Sequence, residues 1–124
     1  MRFVTLIALL TFAAAASAQP LLSPKYHLPA SAFAYVGDPA EPKSWKLPYR
    51  HADGTVDRHR LPLAIAALLE TYRGQTVRIP AAATDDVLRR LGRAAKEIGR
   101  LPQPSTSIYR KLAAALEARK LSTD

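Results

Sequence analysis

The segment 45–60 holds the side chains whose types are best suited to binding or catalysis. It contains the only tryptophan of the chain, a tyrosine, two of the three histidines and several charges. An aromatic ring beside cations could stack on a sugar or a base while an arginine binds a phosphate or carboxylate. We favour the alternative that its large apolar groups, Trp45, Leu47 and Tyr49, form a lid over a central helix. The candidate binding residues are Trp45, Lys46, Tyr49, Arg50, His51 and His59.

His51, Asp53 and His59 are the members of this segment that suggest a metal site or acid–base catalysis. The spacing of the two histidines matches no standard zinc motif, and the chain has no cysteine. No serine follows a strained turn of the kind that positions a nucleophile beside a His–Asp pair. We therefore predict no catalytic residue, no metal ligand and no cofactor. Asp53 is better interpreted as part of a turn, and Asp57 as a helix cap.

A second candidate surface is a stripe of basic side chains at helical spacing in the C-terminal half. A positive helix face of this kind can bind nucleic acid, lipopolysaccharide or anionic phospholipid. We favour a solvated outer face that an Arg93–Glu97 pair partly neutralises. Sequence-specific DNA binding is not expected, because the preceding loop is far longer than the turn of a helix-turn-helix motif. The stripe consists of Arg89, Arg93, Lys96 and Arg100, with Arg90 alongside.

The N-terminal residues 1–18 have the features of a signal peptide. Arg2 precedes an apolar run, and Ala16-Ser17-Ala18 has the small side chains that signal peptidase requires. The run is shorter than the ~20 residues that span a bilayer. We predict cleavage after Ala18, a periplasmic or secreted protein, and no transmembrane segment in the mature chain.

Composition limits the mature chain to one small globular domain. The whole chain has 124 residues and a formal net charge of +8, with 48% hydrophobic and 23% charged residues. These fractions exclude wholesale disorder. Residues 58–124 carry 13 basic and 6 acidic side chains, so the basic excess lies in the C-terminal part.

The N-terminal part of the mature chain, residues 19–57, is rich in proline, which excludes long helices there. We call this part the proline-rich front. We predict a flexible leader over residues 19–32. Residues 33–36 and 45–49 place large side chains in alternation and can form one short β-ribbon, with turns at their ends. An isolated ribbon is marginal, so it must pack on the helices.

Three helices are predicted over about 58–73, 84–99 and 105–120. Asp57 and Thr84 are the candidate N-caps of the first two, and Gly74 and Gly99 the stops. The first helix is apolar on almost every side, which indicates a buried helix at the centre of the fold. The predicted fold is a mainly α, three-helix single domain over residues 33–121.

Three strings of the sequence carry a resemblance to a known family. They are Phe33-Ala34-Tyr35-Val36, the "WKLPYR" of residues 45–50 and the "DGTVD" of residues 53–57. The chain resembles, over about residues 33–101, a small uncharacterised domain of bacterial and phage proteins. Some of those domains lie beside prohead-protease or other head-morphogenesis modules. The family has no known activity, so the resemblance implies a recurring structural unit and favours the lid interpretation.

These observations favour an exported, basic, non-enzymatic interaction module with an unknown protein partner. The first alternative is a binder of an anionic polymer or envelope surface (lipopolysaccharide, phospholipid or nucleic acid) through the cationic helix face. The second is a small hydrolase or lyase that uses His51 and His59.

Overall fold

The computed structural model describes residues 21–70 and 77–123. Within these ranges it contains three α-helices, as predicted, and one two-stranded antiparallel sheet. The helices are α1 (Arg60–Leu69), α2 (Thr84–Glu97) and α3 (Ser107–Ala118), and the strands are β1 (Phe33–Val36) and β2 (Trp45–Pro48). The predicted signal peptide lies outside the described residues.

The predicted ribbon is present, with Tyr35 opposite Lys46 and Val36 opposite Trp45. Both Trp45 and Leu47 of β2 are buried. Leu47 has a φ of +64°, which is rare for a bulky residue and costs about 1–3 kcal/mol. The burial of its side chain in the core offsets that cost.

Residues 21–32, the described part of the predicted leader, are tied to the ribbon. The buried Ser23 hydroxyl accepts hydrogen bonds from the backbone N–H groups of Tyr26 and Leu28. The carbonyl of Ala32 accepts hydrogen bonds from the N–H groups of Tyr49 and Arg50. The predicted flexible leader of residues 19–32 thus contains, within its described part, a turn that local hydrogen bonds hold around Ser23.

Helix α1 begins close to the predicted position but ends earlier. The Asp57 carboxylate accepts the N–H groups of His59 and Arg60, which is the capping role predicted for it. The predicted end at residue 73 is wrong, because Glu70 is already extended, with φ −120° and ψ 152°. The candidate stop Gly74 lies outside the described residues.

The prediction that α1 is buried on all sides is also wrong. Leu61 and Ile65 are fully buried, but Leu63 is 57% exposed, and the side chains at 66–69 are half-buried. The ribbon, α2 and α3 all contact α1. A chain this small has too few elements to surround a helix completely, so one flank of α1 remains at the surface.

Helix α2 contributes the largest set of fully buried side chains. They come from Val87, Leu88, Leu91, Ala94 and Ala95. Gly92 lies among them because a Cβ there would approach Leu116 Cδ1 to 2.9 Å and Thr123 Cγ2 to 2.6 Å. The glycine therefore permits the close approach of α3 and the segment that follows it.

The two ends of α2 differ in how well the sequence predicted them. Thr84 is not the N-cap, since its hydroxyl donates a long hydrogen bond of 3.4 Å to the Pro80 carbonyl. Gly99 ends the helix as predicted, with a φ of +75°. Its N–H donates to Lys96 O, and that of Arg100 donates to Ala95 O, which is the Schellman pattern.

Helix α3 begins at Ser107, two positions after the predicted start, and ends in the same way as α2. Lys120 takes the left-handed conformation, and its N–H donates to Glu117 O. The N–H of Leu121 donates to Leu116 O, and the Leu121 side chain packs on the core. These contacts fix the chain after α3.

Candidate functional site

Trp45 and Tyr49, two predicted binding residues, lie in the interior. Trp45 is 6% exposed, its ring packs 5.6 Å from that of Phe33, and its Nε1–H donates to the Asp38 carbonyl at 2.9 Å. Tyr49 is 5% exposed. Neither ring offers a free face to a sugar or a base. Tyr49 packs in the cluster that contains Ile65 of α1, whereas Trp45 packs with Ala32 and Phe33 in a separate cluster.

Arg50 connects the ribbon to α2. Its Nη2 lies 2.6 Å from Glu97 Oε2, and its Nη1 donates to the Gly54 carbonyl at 2.9 Å. Burial acts to lower the pKa of Arg50, but its hydrogen bonds with Glu97 and Tyr49 outweigh it and raise the pKa. Glu97 was expected to neutralise Arg93, and it instead pairs with Arg50.

His51 and Asp57 form a loose pair in the segment before α1. The distance between His51 Nδ1 and Asp57 Oδ2 is 3.8 Å, and the histidine side chain is 56% exposed. Asp53 accepts both the N–H and the hydroxyl of Thr55, which is the turn that we expected. Within the part of the chain that the structure describes, no group of three or more His, Cys, Asp or Glu side chains is placed to hold a metal ion.

The Asp57 carboxylate makes the stability of the fold depend on pH in the acid range. Burial acts to raise the pKa of the Asp57 carboxyl. The hydrogen bonds from the N–H groups of Arg60 and His59, together with the charges of His51 and Arg60, outweigh burial, so the pKa is lowered overall. A lowered pKa stabilises the fold above the unfolded value of about 3.9, and the stabilisation is lost as pH falls. The wild type should lose unfolding free energy between about pH 7 and about pH 3, and we expect this loss to be smaller in Asp57→Asn.

Urea unfolding at the two pH values measures this effect. Glu41→Gln removes an exposed loop carboxylate and serves as the control, with a pH dependence close to that of the wild type. An unchanged pH dependence in Asp57→Asn would mean that the cap contributes nothing to acid sensitivity.

The predicted basic stripe lies along α2, together with Arg100 just after it. Arg89 pairs with Asp86 at 3.0 Å, and Arg90 donates to the Ala34 carbonyl of β1 at 2.8 Å. Arg89, Arg90, Arg93 and Asp86 line a polar depression of about 350 Å³. Arg100 lies over the ring of Tyr109, at 5.8 Å. We call the set Arg89, Arg90, Arg93, Lys96 and Arg100 the cationic face.

An apolar groove lies between β2 and α1, and we call it the ribbon groove. Its volume is about 400 Å³. Leu63 and Ala67 of α1 form one side, and Trp45 and Pro48 of β2 form the other. Two cations, Lys46 and Arg60, also line it. Its full lining is Tyr26, Trp45, Lys46, Leu47, Pro48, Arg60, Leu63, Ala64, Ala67 and Val77.

The sequence pointed to Trp45 and Lys46 but missed the rest of this groove. Leu63 lies off the buried stripe of α1, which was the available indication that it is exposed. Tyr26 and Val77 come from segments that the sequence leaves without an element. Neither His51 nor His59 lines the groove.

A larger groove, of about 650 Å³, lies between the end of α2 and α3. Lys96 and Lys120 at its edge are accompanied by Glu117, so charges of both signs face it. Lys96 is the only predicted site residue that it contains. This groove therefore has no distinct preference for a ligand of one charge.

Comparisons with protein-family models, curated proteins and solved structures found no match to this chain. The resemblance read from the "FAYV", "WKLPYR" and "DGTVD" strings accordingly stays a prediction. Among the helices at residues 21–70 and 77–123, none combines the length and apolar character needed to cross a membrane.

Proposed function

We propose that this chain is an exported, non-enzymatic interaction module. In this proposal residues 1–18 are a signal peptide cleaved after Ala18, and residues 33–121 form one mainly α domain in the periplasm or outside the cell. The resemblance to the phage-related domain implies a recurring structural unit and names no catalytic residue.

The observation that carries the proposal is the ribbon groove with the exposed Leu63 on its wall. Leu63 is the most exposed of the large hydrophobic side chains in the described residues, at 57%. Apolar surface that is concave, flanked by aromatic side chains and rimmed by polar groups is typical of interaction sites. Leu63 is the side chain that a partner would cover.

Leu63→Glu tests this role without threatening the core. We expect the full chain to capture one envelope protein at low salt and to retain most of that capture at high salt, because apolar burial around Leu63 is the main source of affinity. The variant should lose that capture while keeping its circular dichroism spectrum. Leu22→Glu is the matched control, since Leu22 is also exposed but does not line the groove. Equal capture by Leu63→Glu and wild type would refute the ribbon groove as the contact site.

A second candidate function is binding of an anionic polymer or envelope surface through the cationic face. The supporting observation is that Glu97 pairs with Arg50 and therefore does not neutralise Arg93, as we expected it to do. Arginines on one face of a helix attract phosphate groups by releasing counterions.

Charge reversal of Arg89 and Arg93 separates this candidate from the first. We expect Arg89→Glu with Arg93→Glu to change unfolding free energy by less than about 1 kcal/mol, because exposed pairs contribute little. Binding to lipopolysaccharide, phosphatidylglycerol vesicles or duplex DNA should fall, and it should weaken steeply with salt in the wild type. Lys43→Glu with Arg110→Glu matches the change in net charge. Equal losses in both pairs would show that total charge, and not this face, is responsible.

A further inference from the structure

We propose that the ribbon groove binds a peptide segment in which a bulky apolar side chain lies next to an acidic one. This inference rests on the proposed function and specifies the chemistry of the partner. It combines the apolar walls of the groove with the positive charge at its rim.

The walls of the groove suit one bulky apolar side chain. Leu63, Ala67, Pro48 and Val77 surround a space of about 400 Å³, within the range of ligand sites in proteins. Covering the exposed part of Leu63 removes apolar surface from water, which favours binding. The apolar side chain of the peptide would fill this space.

The rim of the groove is positively charged. Arg60 Cζ lies 4.7 Å and Lys25 Nζ 5.3 Å from the centre of the Tyr26 ring. Lys46 lines the opposite side, and its Nζ donates to the Arg78 carbonyl, a neutral acceptor. A negative side chain at the mouth of the groove would therefore meet cations on both sides.

Arg60 is incompletely compensated by its neighbours. Its Nε lies 3.5 Å from Asp57 Oδ2, and the Asp57 carboxylate already accepts two backbone N–H groups. Its Nη1 is buried and has no hydrogen-bond partner among the residues described. A buried donor without an acceptor is unfavourable. A carboxylate at the mouth of the groove would be attracted by the charge of this guanidinium, although Nη1 itself has almost no accessible surface.

The shape of the groove favours a peptide over an enclosed small molecule or a nucleic acid. Sites for small molecules enclose most of the ligand, whereas the wall formed by Leu63 is open to solvent. Base stacking needs a free aromatic face, but Trp45 is buried and Tyr26 carries Arg60 and Lys25. A peptide can gain affinity from contacts along an open surface without being enclosed.

Selection from a displayed library of random short peptides tests the inference with the full chain. We expect the enriched peptides to share a large apolar residue beside Asp or Glu. A synthetic peptide with the enriched sequence should bind Leu63→Glu at least about tenfold more weakly. Lys46→Gln and Arg60→Gln should each weaken it several-fold and reduce its salt dependence. Leu22→Glu and Lys43→Gln are the controls, with unchanged affinity.

The possible outcomes separate the acidic specificity of the peptide from the interaction module itself. Enriched apolar peptides without an acid, bound equally by Lys46→Gln, would overturn the acidic part and leave the interaction module intact. A library that yields no binder sensitive to Leu63→Glu would overturn both. Leu63-dependent binding to phosphatidylglycerol vesicles without any peptide binder would replace the peptide with a lipid. Lys46→Gln decides the charge question if Arg60→Gln fails to fold.

Discussion

Ile65→Ala is expected to lower the free energy of unfolding by about 2–5 kcal/mol. Ile65 has no exposed surface and belongs to the cluster that joins the ribbon to all three helices. Truncation to alanine removes buried apolar atoms and leaves a cavity that neighbours from several elements cannot easily fill. The loss would be a large fraction of the stability of a domain this small.

Urea unfolding of the wild type and the variant measures this loss. Leu63→Ala provides the control on the same helix, and we expect a loss of less than about 1 kcal/mol because Leu63 is mostly exposed. A loss of less than about 1 kcal/mol for Ile65→Ala as well would show that α1 does not anchor the core.

Trp45→Ala is expected to lower the free energy of unfolding by about 3–5 kcal/mol. The ring is almost completely buried and packs against Phe33 in a cluster with Ala32. The variant also loses the hydrogen bond from Nε1 to the Asp38 carbonyl, which ties the loop between the strands to β2. The ribbon depends on this side chain because two strands alone are marginally stable.

The variant lacks tryptophan, so circular dichroism must follow its unfolding. Lys46→Ala, on the same strand, is the control and should change stability by less than about 1 kcal/mol. A small effect of Trp45→Ala would mean that the ring contributes little to folding. That result would contradict the structural role assigned to the buried ring.

The sequence predicted α2 best because its local pattern carries the information. The stripe of Val87, Leu91 and Ala94 and the stop at Gly99 describe that helix without reference to the rest of the chain. The end of α1 could not be predicted, since no glycine or proline follows Leu69 at once. Its apolar composition likewise indicated burial but could not show how many elements surround it.

The candidate site was harder to predict because it depends on long-range contacts. The turn at Asp53 was predictable because it is local. Glu97 pairs with Arg50, far away in the sequence, in place of Arg93 one helical turn away. The ribbon groove combines Tyr26, β2, α1 and Val77. No periodicity relates these segments, so only the fold reveals that their side chains face the same space.

The proline-rich front is joined to the helices through a shared buried cluster. Leu47 and Tyr49 from the front lie in the same buried cluster as Ile65. Equilibrium unfolding followed both by Trp45 fluorescence, which reports on the ribbon, and by far-ultraviolet circular dichroism, which reports on the helices, tests it directly. We predict one transition with coincident midpoints, as expected for a single cooperative domain. Loss of the fluorescence transition at lower denaturant than the helical signal would contradict the claim.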